Sequence, residues 1–115
     1  MTANTPRSRK SKGRGFQNYI VADIRRITGL CDDDVRSNGM GQPGADVVLS
    51  THGKKTFPYA VECKRTESWN IHEWWRQAER NANLEGLKPL LVLRRNNESA
   101  RVMMKWGDFL ELVQR

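Results

Sequence analysis

Three residues have the types and spacing to do chemistry: Asp46, Glu62 and Lys64. Glu62 and Lys64 stand two apart in "FPYAVECKRTE", residues 57–67. That stretch alternates as a strand, with Tyr59, Val61 and Cys63 on one face and Ala60, Glu62 and Lys64 on the other. Upstream, "ADVVLS" reads as a second strand and "THGKKTF" as the turn between them. A hairpin symmetric about Lys54 pairs Val47 with Val61 and Leu49 with Tyr59 on one side, and Val48 with Ala60 and Asp46 with Glu62 on the other. This register keeps the apolar face consistent, the condition that normally fixes register. It makes Asp46 and Glu62 cross-strand neighbours, with Cβ atoms roughly 5 Å apart. Two adjacent carboxylates repel, and one of them would tend to keep its proton. A divalent cation removes that conflict, and hard oxygen ligands suit Mg²⁺, which keeps several waters. The Lys64 ammonium adds a positive charge for a phosphorane-like transition state. Together these are the parts for metal-assisted phosphodiester hydrolysis. A bare Glu-x-Lys triplet is more often a surface salt pair. The hairpin register, the Gly/Pro-rich lead-in to Asp46 and the basic charge strengthen the chemical reading.

The elements that must position these residues are legible as periodicity. Phe16, Ile20, Ile24 and Ile27 recur at three and four residues and predict a first helix ending at Gly29. "CDDDVRSNGMGQPG" reads as a loop entering the site. "ESWNIHEWWRQAERNANLEG" predicts a helix capped by Asn70, with Glu73 at the capping-box position and Gly86 at its end. "KPLLVLRR" is a continuous apolar run, hence a central strand buried on both faces. "ARVMMKW" is a further strand and "GDFLELVQ" a closing helix. The predicted order is α-β-β-α-β-β-α, an α/β fold with a mixed central β-sheet flanked by helices.

Size and composition bound the rest. The 115 residues suffice for one domain with a real core. The expected division is a basic flexible tail over residues 1–14 and a single domain over 15–115. The only cysteines, Cys31 and Cys63, suggest a reduced protein rather than a disulfide scaffold, and with His52 and His72 they have no zinc-site spacing. There is no apolar leader and no run long enough to span a bilayer, so no membrane partner is expected and the cytoplasm is the default compartment. The net charge is +7, of which Arg7, Arg9, Lys10, Lys12 and Arg14 supply five, leaving +2 for the remainder. A polyanion, with DNA foremost, is the natural partner. The basic tail reads either as a solubilising segment or as an arm on phosphates. Trp69, Trp74, Trp75 and Trp106 are many for this length, and core packing or a dimer contact is favoured over base stacking. Arg76 and Arg80, one turn apart, are either solvated charges or phosphate contacts.

"PGADVVLS" followed by "FPYAVECK" resembles the PD-(D/E)xK nuclease superfamily, in particular its small Holliday-junction-resolvase-like and phage endonuclease members. The similarity extends over nearly all of the chain after the tail, through "KGRGFQ", "DVRSNGMGQPGAD", "ECKRTESWNIHEWWRQAERNA" and "PLLVLRRN". The resemblance implies a restriction-endonuclease-like core and an Mg²⁺-dependent DNA endonuclease, with Mn²⁺ able to substitute. It implies that Asp46, Glu62 and the backbone carbonyl of Cys63 hold the metal, and that Lys64 helps activate water. Gln77, on the following helix, would support the site. Many members carry a glutamate on the first helix, and Gln17 stands at the matching position, an amide without charge. Arg36 and Ser37 map near the scissile phosphate, with Lys12, Arg14, Arg76 and Arg80 as further nucleic-acid contacts. Structure selectivity like that of a junction resolvase, a homodimer, and the cytoplasm of the host cell for a phage-encoded chain complete the expectations. The alternatives are a nicking or flap/fork nuclease of the same superfamily and a non-catalytic DNA-binding module on this fold.

Overall fold

The computed structural model describes residues 5–114. Residues 1–4 of the expected tail, and Arg115, lie outside the described residues. The first helix, α1 (Pro6–Thr28), starts nine residues before the expected boundary at residue 15. Residues 6–14 are therefore helical, continuous with the rest of α1. Thr5 caps them, its hydroxyl accepting from the Ser8 N–H at 3.1 Å, and Pro6 occupies the first turn, where its missing N–H costs nothing. Gly13 and Gly15 had obscured this, since each glycine in a helix interior costs about 1 kcal/mol. At the other end Gly29 closes the helix at φ 75°.

The inward face of α1 is Phe16, Gln17, Ile20, Val21 and Ile24. Ile27, expected on this stripe, is 73 % exposed, because the helix runs past the core before it stops. "CDDDVRSNGMGQPG" is not all loop. It contains β1 (Val35–Ser37), which pairs antiparallel with β2 (Val47–Leu49) in the register Val35 to Leu49 and Ser37 to Val47. Three residues flanked by Asp34 and Asn38 are too short to announce a strand by alternation.

The predicted hairpin turn is a helix, α2 (Thr51–Thr56). Ser50 caps it, accepting from the Gly53 N–H at 2.9 Å, and itself donates to Asp34 Oδ1 at 2.7 Å. A Cβ on Gly53 would lie 2.5 Å from the Asp34 carbonyl oxygen, so glycine is what lets α2 sit against the entrance to β1. The hairpin register consequently fails: β2 pairs with β1, while β3 (Tyr59–Arg65) pairs in parallel with β4 (Lys88–Arg94). Between β3 and β4 runs α3 (Ile71–Glu85), capped by Asn70 and closed by Gly86 at φ 68°, as its sequence predicts. β4 is the middle strand of a mixed three-stranded sheet, flanked on its other side by antiparallel β5 (Arg101–Met103). The chain ends in α4 (Trp106–Val113).

The observed order, α-β-β-α-β-α-β-β-α, thus adds β1 and α2 to the expected one and divides the strands between two sheets. The class, mixed α/β with helices on both faces of β3, stands. On one face Phe16, Ile20, Val21 and Ile24 pack with Val35, Val47, Leu49, Tyr59 and Val61. On the other, Ala82 of α3 packs with Ala45 and Ala60, and Ala78, one turn earlier, is equally fully buried. Small residues let the helix backbone come close to β3, so anything α3 projects beside them reaches the strand. Among the described residues no helix is long and apolar enough to cross a membrane.

Candidate active site

Although β2 and β3 do not form the expected ladder, Asp46 still reaches β3. Its N–H donates to the Val61 carbonyl at 3.0 Å, and its Oδ2 accepts from the Cys63 N–H at 2.7 Å. The loop from Asn38 to Asp46 is held shut for this purpose. Asn38 N–H donates to the Asp46 carbonyl at 2.9 Å, and Asn38 Nδ2 donates to the carbonyls of Pro43 (2.9 Å) and Ala45 (3.0 Å). Gln17 ties the loop to α1 by donating Nε2 to the Asn38 carbonyl at 2.8 Å. The amide of buried Gln17 is thus engaged with the loop.

Glu62 is the other buried polar residue of the interior, only 1 % exposed. Its Oε1 accepts from Asn81 Nδ2 at 2.6 Å. Burial first, and the Asp46 charge second, push its carboxyl up to about 7; Asn81 and Lys64 pull the other way. Asp46 is also raised, by burial, against the Cys63 N–H and the Lys64 charge. Lys64 stands on the same face of β3 as Glu62, its Nζ 6.0 Å from the Trp74 ring centroid, so α3 supplies an aromatic surface for the ammonium. The two acids and the lysine therefore assemble as expected, though by a backbone contact rather than a hairpin.

The site opens into a cleft of about 180 Å³ lined by Gly13, Gln17, the 39–42 loop, Asp46, Cys63 and Lys64. A residue of an extended strand points its N–H and C=O to the same edge. Since the Cys63 N–H meets Asp46, its carbonyl faces that same edge. The Cys63 thiol lies against the α1 side of the core, and burial raises its pKa.

Other expected residues fall differently. Gln77 is half-buried and makes no hydrogen bond among the described residues; Asn81, one turn further along α3, holds Glu62 instead. Both lie on the turns that carry Ala78 and Ala82, so the helical period alone could not choose between them. Each precedes a buried alanine, so no local signal in the sequence singles out Asn81. Ser37 donates its hydroxyl to Asn18 Oδ1 at 2.7 Å, while Arg36 is exposed on the opposite face of β1. Arg76 and Arg80 are exposed on α3, away from buried Ala78 and Ala82, and do not line the cleft. Arg14 is exposed on α1 and Lys12 half-exposed.

Do the residues fit a divalent cation? Among the described residues no group of three or more His, Cys, Asp or Glu side chains converges. Two carboxyls do: Asp46 accepts from the Cys63 N–H and Glu62 from Asn81, and the two share a hydrogen bond in which Glu62 carries the proton, a contact that a cation would replace. That donor set suits a hard cation that retains several waters.

A mixed α/β core that brings an aspartate to a strand bearing Glu-x-Lys defines the PD-(D/E)xK class of nucleases. The chain belongs to the family described as "Phage putative PDDEXK endonuclease", whose model matches residues 8–114. No curated protein and no solved structure matches the chain.

Proposed function

We propose that this protein is a divalent-metal-dependent DNA endonuclease that hydrolyses phosphodiester bonds, selective for branched DNA. The observation that carries the reading is the juxtaposition of Asp46 and Glu62, both with raised pKa: Asp46 lines the cleft together with Lys64, and Glu62 is buried beside Asp46. Asp46, Glu62 and the Cys63 carbonyl would hold Mg²⁺, or Mn²⁺ in its place. When bound, such an ion supplies Lewis acidity to a phosphoryl oxygen and acidifies water.

The chain's own groups do the remainder. Asn81 orients Glu62 against Asp46. The Cys63 N–H orients Asp46 in the same way. Lys64 places a positive charge where negative charge grows on the phosphate, and Trp74 limits its swing. Gln17 holds the 39–44 loop over the cleft. Arg36, Lys12 and Arg14 are cations available for flanking phosphates.

The test is cleavage of labelled duplex, single strand, fork and four-way junction in Mg²⁺, beside EDTA and Asp46→Ala. Metal-dependent cutting that disappears in Asp46→Ala supports the reading, and the preferred substrate fixes the selectivity. Junction resolution needs two cuts and hence two copies, so sedimentation of the protein–junction complex accompanies it; a single copy points to nicking. Binding without cutting in either metal would leave a DNA-binding module.

A further inference from the structure

A second cleft, of about 310 Å³, lies beside the first. It is lined by Arg9 and Lys12 of α1, Arg65 and Thr66 at the end of β3, and Asn96 after β4. The two clefts meet where Lys12 and Gly13 are consecutive on α1 and Lys64 and Arg65 consecutive on β3. Because side chains alternate along a strand, Lys64 serves the first cleft while Arg65 points to the α1 side and serves the second.

Arg65 is unusual. It is half-buried, its Nη2 donates to Asn96 Oδ1 at 3.3 Å, and its Nε is buried without a hydrogen-bond partner. A buried guanidinium N–H left unpaired is costly, and a turn of the side chain toward an acceptor in the cleft would relieve it. Neither Arg65 nor Lys12 is ion-paired among the described residues. One carboxylate, Glu67, also borders the cleft, but it is engaged by Arg95 at 3.5 Å and by the Asn96 N–H at 3.2 Å. The guanidinium fork is the donor pattern that matches a phosphate bidentately.

We infer that this Arg65–Asn96–Lys12 cleft binds a phosphodiester flanking the one cut, on the same DNA strand. The inference rests on the nuclease reading for the words "the one cut", and on the geometry alone for the phosphate site. With Lys64 at the reacting phosphate and Arg65 at its neighbour, two consecutive residues of one strand set the register of the DNA backbone over the carboxylates. Arg65 is thereby a positioning residue.

The experiment measures affinity of the full chain for duplex and branched DNA in EDTA, where nothing is cut, from 50 to 300 mM salt. Arg65→Gln and Lys12→Gln should each bind about tenfold more weakly, as for a lost charge-assisted hydrogen bond. Each should flatten the plot of log affinity against log salt by about 0.9, the loss of one phosphate contact. Arg65→Lys should keep the slope but not the affinity. Lys55→Gln, an equal charge loss on α2 outside the cleft, should change neither. Should Arg65→Gln fail to melt like the parent, Lys12→Gln and Asn96→Ala decide the matter. An unchanged slope in folded Arg65→Gln and Lys12→Gln, or an equal flattening by Lys55→Gln, overturns the inference. So does calorimetry in which inorganic phosphate binds the parent, and Arg65→Gln loses that binding while keeping its DNA affinity. The two readings fail separately: a flattened slope without cleavage in any metal removes the nuclease and keeps the cleft, whereas cleavage with an unchanged slope does the reverse.

Discussion

Glu62 concentrates the site's electrostatic cost. A carboxyl buried beside another carboxylate holds its proton to about pH 7, against 4.5 ordinarily. The folded state therefore binds a proton that the unfolded state releases between those values. Stability must fall as pH rises through that window, by on the order of 3 kcal/mol at most. Asp46, raised for the same reason, acts in the same direction. In EDTA the melting temperature should drop by several degrees between pH 5 and pH 8, and Mg²⁺ should restore more of it at pH 8 than at pH 5. Glu62→Gln, which keeps a carbonyl for Asn81, should melt higher than the parent at pH 8 in EDTA and cut no DNA. Thermal melts across pH check this; an equally steep decline in Glu62→Gln would sink it. At Gln17, replacement by Glu turns a donor toward the Asn38 carbonyl into a second acceptor. It should loosen the 39–44 loop and lower cleavage rather than add a useful carboxylate, which rates for Gln17→Glu and Gln17→Ala side by side will show.

The elements work by close approach. α2 meets the start of β1 only because residue 53 lacks a Cβ. Gly53→Ala sets a methyl 2.5 Å from a backbone oxygen and should cost about 1–3 kcal/mol, read by urea unfolding. Phe16, 2 % exposed, anchors α1 over β3, and Phe16→Ala should cost about 3–5 kcal/mol. Both changes act on stability away from the reacting groups. If either variant unfolds at the parent's urea midpoint, the packing described for its element is wrong.

Across the whole molecule, charge and core are segregated along α1. The core contribution of this helix begins at Phe16, while Arg7, Lys10 and Arg14 line a solvent-facing groove on its earlier turns. Changing those three to Gln should leave the melting temperature within a degree or two. The same change should reduce the salt slope of DNA binding by up to about 2.7, the loss of three phosphate contacts. An unaltered slope would leave these charges a solubilising role.

Glu62 and Lys64 were legible as a candidate pair because residue type and a period-two spacing are local properties, whereas Asp46 was set beside Glu62 by a hairpin register that the fold does not keep. The capped α3, the apolar run of β4 and the stripe from Phe16 to Ile24 were legible for the same reason. Pairing was not. The backbone carries donors and acceptors on both edges of every strand, so hydrophobic alternation cannot say which edge meets which. β2 took β1 as its partner, and α2 replaced the turn once Gly53 allowed it. Asp46 then came to β3 through two hydrogen bonds instead of a ladder. The choice of Asn81 over Gln77, and the meeting of Lys12 with Arg65, were likewise left to tertiary structure. They depend on where rigid elements cross, and that is set by packing among residues far apart in the chain.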